Sequence, residues 1–480
     1  MAVVTAAISP AAIARADPAG LTRIITDSFS NSTSQHATAV EPDTFAFGNT
    51  FVATSQAGRF FGGGASGIAY ATTRDSGATW TAGVLPNITF RQLASSPFER
   101  VSDPSVAYDV KHGVWLISSI PLLPNWHVPK VYVSRSTNGG TTFGNPITVA
   151  NASPGSDFDK NWTACDNHPS SPFYGNCYTT FDDSGNGDRL KVSTSTNGGL
   201  TWGSAKNTAN NATGIGGQPV VKPGGTVIIP AANASITSII AFRSTNGGAT
   251  WSKTVRVASA PSHDPAGSLR SSPLPTAEID ASGKVYVAWQ DCRFRSSCSS
   301  NDIVFSKSTT GTTWTSPKRV PIGTTTDGTD HFIPGIAVKP STSGSTAKLG
   351  LTYYSYATAA CGSTCRLKAA YIQSNNAGAT WSAPVTLAGP FSVDLIANTS
   401  QGRMVGDYIS TSWLGSKAFG AVAVGQAPTN GTAFDEGIFV RTGGLNLTGR
   451  FTNSSRSDRV AVRNNFALHA NRRTAVQRRR

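Results

Sequence analysis

Ser244-Thr245-Asn246-Gly247-Gly248-Ala249-Thr250-Trp251 is the stretch that decides the fold, because it keeps returning along the chain. Close copies read Thr73-Arg74-Asp75-Ser76-Gly77-Ala78-Thr79-Trp80, Ser136-Thr137-Asn138-Gly139-Gly140-Thr141-Thr142-Phe143 and Ser195-Thr196-Asn197-Gly198-Gly199-Leu200-Thr201-Trp202. A further copy is Ser374-Asn375-Asn376-Ala377-Gly378-Ala379-Thr380-Trp381, and Ser308-Thr309-Thr310-Gly311-Thr312-Thr313-Trp314 is one residue short. The Asp or Asn carboxyl or carboxamide oxygen suits the backbone amides of its own turn. Glycine supplies the positive φ that other residues resist. Short apolar runs such as Lys130–Ser134 and Asp302–Ser306 stand just upstream, so the phrase is read as a hairpin joining two neighbouring strands.

Working outward, the copies begin at 73, 136, 195, 244, 308 and 374, spacings that suit one four-stranded sheet with its loops per repeat. Radial repetition of such sheets builds a β-propeller, whose units bury their faces against each other and leave only short edges. A string of separate small sandwiches would bury too little surface. Strand material continues past the last copy at Val405–Ser410, Phe419–Val424 and Gly437–Val440. Leu21–Thr26 is expected to add the outer strand there, joining the two ends of the chain. The expectation is an all-β propeller of seven blades, with six as the alternative.

Composition agrees. Gly (48) and Pro (27) are abundant, charged residues are only 14%, and a helical spacing of apolar residues is not sustained beyond the first twenty positions. Residues 1–20 carry an apolar Ala/Val/Ile run and Ala14-Arg15-Ala16 ahead of Asp17, like the late part of a secretory signal. A disordered Ala-rich leader is the alternative. Residues 21–447 are assigned to the propeller and 448–480 to a basic tail that holds nine of the Arg residues from Arg450 onward. Such a tail suits an anionic envelope, an acidic glycan or plain solvation, and its few aromatics argue against a specific nucleic-acid partner. No later segment is apolar enough to span a bilayer as a helix. Cys165 with Cys177, Cys292 with Cys298, and Cys361 with Cys365 read as three short-loop disulfides, which fit a secreted chain. Zinc is disfavoured by the lack of a second matching pair.

The eight-residue phrase resembles the Asp-box, or bacterial neuraminidase repeat, of the sialidase superfamily. The resemblance covers about residues 73–381. It implies a propeller and, more weakly, an exo-glycosidase that removes terminal sialic acid or a related acidic sugar with retention. Sialidases hold the substrate carboxylate with three arginines, whose planar guanidinium groups match it bidentately, and attack with a tyrosine. Carried over to this chain, Tyr408 in Gly406-Asp407-Tyr408 is the nucleophile and Glu278 its base. Asp103 is the acid/base, and Arg100, Arg293 and Arg366 form the clamp. The family's Arg-Ile-Pro phrase is absent, and Glu99-Arg100-Val101-Ser102-Asp103-Pro104 is the nearest substitute; where the family aspartate usually lies, this chain has Trp126 and His127. Arg270 and Arg295 flank the proposed pocket strand as substitutes for a clamp member. No cofactor is required, although the polar run from Asp157 to His168 with Asp182 and Asp183 could hold a structural calcium; a hydrogen-bonded loop is the other reading. The expected partners are sialylated or other acidic glycans, bound by a monomer. A non-catalytic glycan- or protein-binding propeller, and a glycosidase or lyase for another acidic polysaccharide, are the alternatives.

Overall fold

The computed structural model describes residues 20–428, 431–446 and the backbone of 451–453. The proposed leader and most of the basic tail lie outside the described residues.

Strands fall into successive antiparallel units, each running from an inner strand outward. The first consists of Gln35–Phe47, Thr50–Arg59, Ala65–Thr73 and Thr81–Val84. The inner strands of the next five units are, in order, Arg100–Asp109, Phe158–Cys165, the pair Gly214–Ile215 and Val220–Val221, Thr276–Ile279, and Asp330–Val338. In the last unit Ser410–Leu414 pairs with Lys417–Gly425, which pairs with Glu436–Arg441. Leu21–Ile25 then completes that unit's outer edge, so the two ends of the chain share one sheet. Its inner strand begins later than expected: Gly406 takes φ +144, and Val405–Ile409 stays outside the ladder, with the Val405 carbonyl accepting from the Glu41 amide, before Ser410 starts it.

Each repeated turn is held by one pattern of hydrogen bonds. In the copy at 244, the Ser244 hydroxyl donates to Asn246 Oδ1 (2.9 Å) and accepts from the Gly248 amide (2.9 Å). Asn246 Oδ1 also accepts from the Thr250 amide (3.0 Å), and its Nδ2 donates to the Thr250 hydroxyl (2.8 Å). The copies at 136, 195 and 374 repeat this closely, whereas Asp75 accepts from both the amide and the hydroxyl of Thr79. In the short copy, the Thr310 hydroxyl takes the asparagine's place, accepting from the amides of Thr312 and Thr313.

These turns also seat each unit on its predecessor. A Cβ on Gly140 would lie 2.7 Å from Val52 of the first unit, and one on Gly378 would lie 2.7 Å from Phe305. The same glycine in the first unit, Gly77, abuts Phe419 of the last unit, so the final interface is made by the same contact as the others.

Inner strands are stitched to their neighbours as well. Asp43 accepts from the Val106 amide, Ser105 from the Thr163 amide, Gln218 from the Ala277 amide and Thr276 from the Ile336 amide. Thr411 donates to Gly335 O, and Thr44 shares a hydrogen bond with Ser412, which returns from the last unit to the first. The architecture is all-β and consistent with a β-propeller. The cysteines pair as expected, Cys165–Cys177, Cys292–Cys298 and Cys361–Cys365, and no described helix is long and apolar enough to cross a membrane.

Candidate functional site

Four inner strands share a local irregularity. The pairing register slips between Val40 and Asp43, Ser102 and Ser105, Asp159 and Trp162, and Phe332 and Gly335. Within each slip one non-glycine residue takes a positive φ: Glu41 (56°), Asp103 (52°), Lys160 (46°) and Ile333 (50°). A bulge of this kind re-aims a side chain, and its backbone strain must be held by the surroundings. Three of the four residues are charged, and they meet.

Lys160 is the centre of that meeting. Its ammonium lies 2.7 Å from Asp407, 3.3 Å from Glu41 and 3.5 Å from Asp103, with side-chain exposure of 7%. Arg270 grips Asp407 with two donors, Nε at 2.7 Å and Nη2. Glu41 also accepts from Gln56 Nε2 and from the Asp407 amide (3.1 Å). Arg59 completes the group, holding Gly64 O (2.7 Å), Gln56 Oε1 and Met404 Sδ.

Burial raises the cost of every charge here, and the outcome depends on partners. Burial pushes the Asp407 carboxyl up, but Arg270 and Lys160 outweigh it and hold the group well below the usual carboxylate range. Burial likewise opposes the Lys160 ammonium, yet Asp103, Asp407 and Glu41 keep it charged above its ordinary value. Burial pushes Glu41 up against the pull of Lys160. Asp159 is pushed up to about 7 by burial and by neighbouring Asp103, whereas Lys160 and the Ser102 hydroxyl more than offset burial for Asp103, which stays below the ordinary range. Asp182, buried against Asp159, has no hydrogen-bond partner for either oxygen among the described residues, and burial pushes its carboxyl well above the usual range.

Tyr408 stands beside this group. Its ring packs edge-on against Trp162 (5.1 Å), and its hydroxyl donates to Pro104 O (3.0 Å). Burial, then Glu41 and Asp103, keep the phenol neutral far above its usual range. A small cavity touches Tyr408 and is lined by Lys160, Trp162, Gly216, Gln218 and Pro275. It lies where the third and fourth units meet Leu274, Pro275 and Tyr408.

The residues expected from the sequence therefore have different situations. Tyr408 and Asp103 share the central cluster. Glu278, on the fifth inner strand, is pushed up to about 8, first by burial, with Asp43 adding to it; the carboxylate foremost in holding the Tyr408 phenol neutral is Glu41. Arg100 pairs with Glu99 (3.0 Å) and donates to Gly63 O; Arg293 chelates Asp291 and reaches Ser259 O; Arg366 is exposed and donates to Pro390 O (3.0 Å). Each of these three arginines thus has its own local partner, and the guanidinium groups in the central cluster are Arg59 and Arg270. Arg295, the other substitute, is buried between Asp302 and Asp327. In the run considered for calcium, Asp166 accepts from Ser171 and the His168 amide, and Asp183 from Ser156, the Asp157 amide and Lys191. Among the described residues, the one group of three neighbouring His, Cys, Asp or Glu ligand atoms is Asp109 with the disulfide-bonded Cys165 and Cys177.

No family model matches this chain, and no curated protein matches it. Among solved structures it is similar to a protein of unknown function from Dyadobacter fermentans, at 16% identity and a TM-score of 0.47, over 75% of this chain and all of that one. It is also similar to the Hadza microbial sialidase Hz136 (13%, TM-score 0.45, 86% of this chain, 66% of that one). A Trypanosoma rangeli sialidase in complex with the inhibitor DANA aligns at 14% and 0.45, over 88% of this chain and 59% of that one. Exo-beta-1,3-galactanases stand among the similar structures too. These likenesses are distant, and the functional reading comes from the chain's own residues.

Proposed function

We propose that the chain is an exported, seven-bladed glycan-binding propeller whose centre is locked by internal ion pairs. The observation that carries the non-catalytic part of this reading is the commitment of the central groups to one another. The Tyr408 hydroxyl is given to Pro104 O, Lys160 is shared by three carboxylates, and Arg270 is chelated by Asp407. Three cations (Arg59, Lys160, Arg270) face Glu41, Asp103 and Asp407, so no surplus positive charge is left to hold a sialic acid carboxylate. Three disulfides fit an oxidising, extracellular setting. The test is binding of the full chain to an array of neutral and sialylated glycans: the reading expects retention on at least one glycan class, and absence of binding to every glycan overturns it.

A second reading, a glycoside hydrolase, is favoured by one observation. Asp103 and Asp159 are adjacent carboxyls pushed in opposite directions, the usual arrangement of an ionised group beside a proton donor at neutral pH. In that reading Asp159 is the proton donor beside ionised Asp103, Tyr408 keeps its assigned role, and Glu41 stands in for Glu278. Turnover of aryl glycosides separates the two.

A further inference from the structure

Among the described residues, Asp182 is the one carboxyl with both oxygens buried and neither accepting a hydrogen bond. The residue is 1% exposed. A carboxylate withdrawn from water without donors needs a positive charge beside it. The central cations Arg59, Lys160 and Arg270 face Glu41, Asp103 and Asp407, which leaves none for Asp182. Its neighbours make the shortage worse. Asp159 stands directly opposite in the antiparallel pair Phe158–Cys165 and Cys177–Asp183, so the two side chains leave the sheet on the same face. Asp188, in the turn that leads into Arg189–Ser195, is the next carboxyl whose charge bears on Asp182. The Asp188 carbonyl accepts from the Gly214 amide (2.8 Å), which ties this corner to the fourth unit. That unit also covers the face. Its inner strand is broken between Ile215 and Val220, with Gly216 at φ +66, and a Cβ on Gly217 would lie 3.2 Å from Thr180 Oγ1. Thr180 is two residues from Asp182 along one strand and so shares its face. A break in a ladder turns backbone carbonyls away from their usual partners, and carbonyls are the second kind of oxygen that a hard cation takes.

We propose that Asp159 and Asp182 hold a calcium ion at the seam between the third and fourth units, with Asp188 as the third carboxylate. The three carboxylates do not already form one tight shell, and that selects among hard cations. Calcium takes about six to eight oxygens in irregular shells that carbonyls and waters complete, whereas magnesium demands a near-ideal octahedron. An all-oxygen set, with no thiolate or imidazole, disfavours zinc and copper. Asp166 and Asp183 of the same polar run are left out because their own hydrogen bonds and Lys191 engage them. A cation on Asp159 displaces the proton that the hydrolase reading needs there, so the site agrees with a non-catalytic centre and does not depend on which glycan is bound. Its effect is structural: one ion staples two neighbouring units across their seam.

The experiment uses the full chain, stripped with EDTA, dialysed, and titrated with calcium chloride or magnesium chloride by calorimetry, with thermal melts alongside. Wild type is expected to take up one calcium with a Kd of about 10⁻⁴–10⁻³ M, to melt higher as calcium is added, and to bind magnesium at least about tenfold more weakly. Asp182→Asn keeps the side chain's shape and removes its charge. In EDTA it should melt at or above wild type, because an unpartnered buried charge is gone, and calcium should no longer raise its melting temperature. Asp166→Asn, in the same polar run but outside the pair, should keep the calcium response. Asp159→Asn repeats the test should D182N fail to melt cooperatively. No calcium response in wild type, or one that folded D182N or D159N retains, overturns the site. Equal binding of magnesium overturns the calcium assignment, and a response lost in D166N but kept in D182N moves the ion to the loop and overturns the proposal.

Discussion

Lys160→Met removes the central cation and keeps most of the side chain's volume. In the native protein three carboxylates lie 2.7–3.5 Å from that ammonium, all on buried side chains. Arg270 remains on Asp407, while Glu41 and Asp103 lose their cation. Breaking a buried ion pair from one side costs about 3–5 kcal/mol, and that is the loss expected at pH 7.5. The pH dependence has a defined sign. Asp103 and Asp407 have folded values below their unfolded ones, so in wild type they contribute stability above the ordinary carboxylate range that is lost as pH falls through the folded values. The variant keeps less of that contribution and can relieve its orphaned carboxylates by taking up protons. The difference between the two proteins therefore shrinks from pH 7.5 towards pH 5. Urea unfolding followed by tryptophan fluorescence at both values measures it. A loss below about 1 kcal/mol at pH 7.5, or one that does not change with pH, refutes the picture of a central ionic lock.

Other perturbations test the parts around it. Asn246→Ala removes the oxygen and nitrogen that clamp Thr250 and should cost about 1–2 kcal/mol in urea unfolding, a value near zero showing that the turn closes without its side chain. Gly378→Ala meets both a φ of +76° and Phe305 of the preceding unit, and should cost about 2–4 kcal/mol, whereas Gly344→Ala, with open space around it, should pay only the backbone part. Asp43 is 2% exposed and pushed up to about 7 by burial, so it favours the protonated folded form and subtracts stability as pH rises from about 4 to 7. Asp43→Asn should flatten that part of the stability curve, gaining on wild type by at most roughly 4 kcal/mol at pH 8; parallel curves for the two proteins would contradict it.

Most of the architecture was legible because it is written in turn chemistry. The Asn and Gly of each repeated phrase are needed for a local hydrogen-bond pattern, so they stand at fixed offsets whatever the rest of the unit does. The joining of Leu21–Ile25 to the last unit was legible from unpaired strand material at both ends. The centre was harder. Tyr408 was found through a family pattern and Asp103 as the nearest substitute where that pattern is absent; Glu41 and Arg59 lie in first-half strands that the pattern does not describe, and Lys160 stood inside the polar run considered for calcium. Arg100, Arg293 and Arg366 were chosen by order along the chain, and order says nothing about the neighbours that engage them: Glu99, Asp291 and Pro390 O. One signal was present. Glu41-Pro42, Asp103-Pro104 and Ile333-Pro334 each place a proline, which has no amide to give a ladder, directly after the residue of positive φ. That recurrence marks three of the four bulges, and two of the three supply charges to the cluster, Glu41 and Asp103.

The most direct test is release of 4-methylumbelliferone from its sialic acid glycoside by wild type and by Tyr408→Phe, with both proteins shown to fold alike. A hydroxyl engaged with Pro104 O beside a charge-balanced cluster predicts no release above background from either protein. Steady turnover by wild type that disappears in Tyr408→Phe would contradict the account and make the centre a working sialidase site.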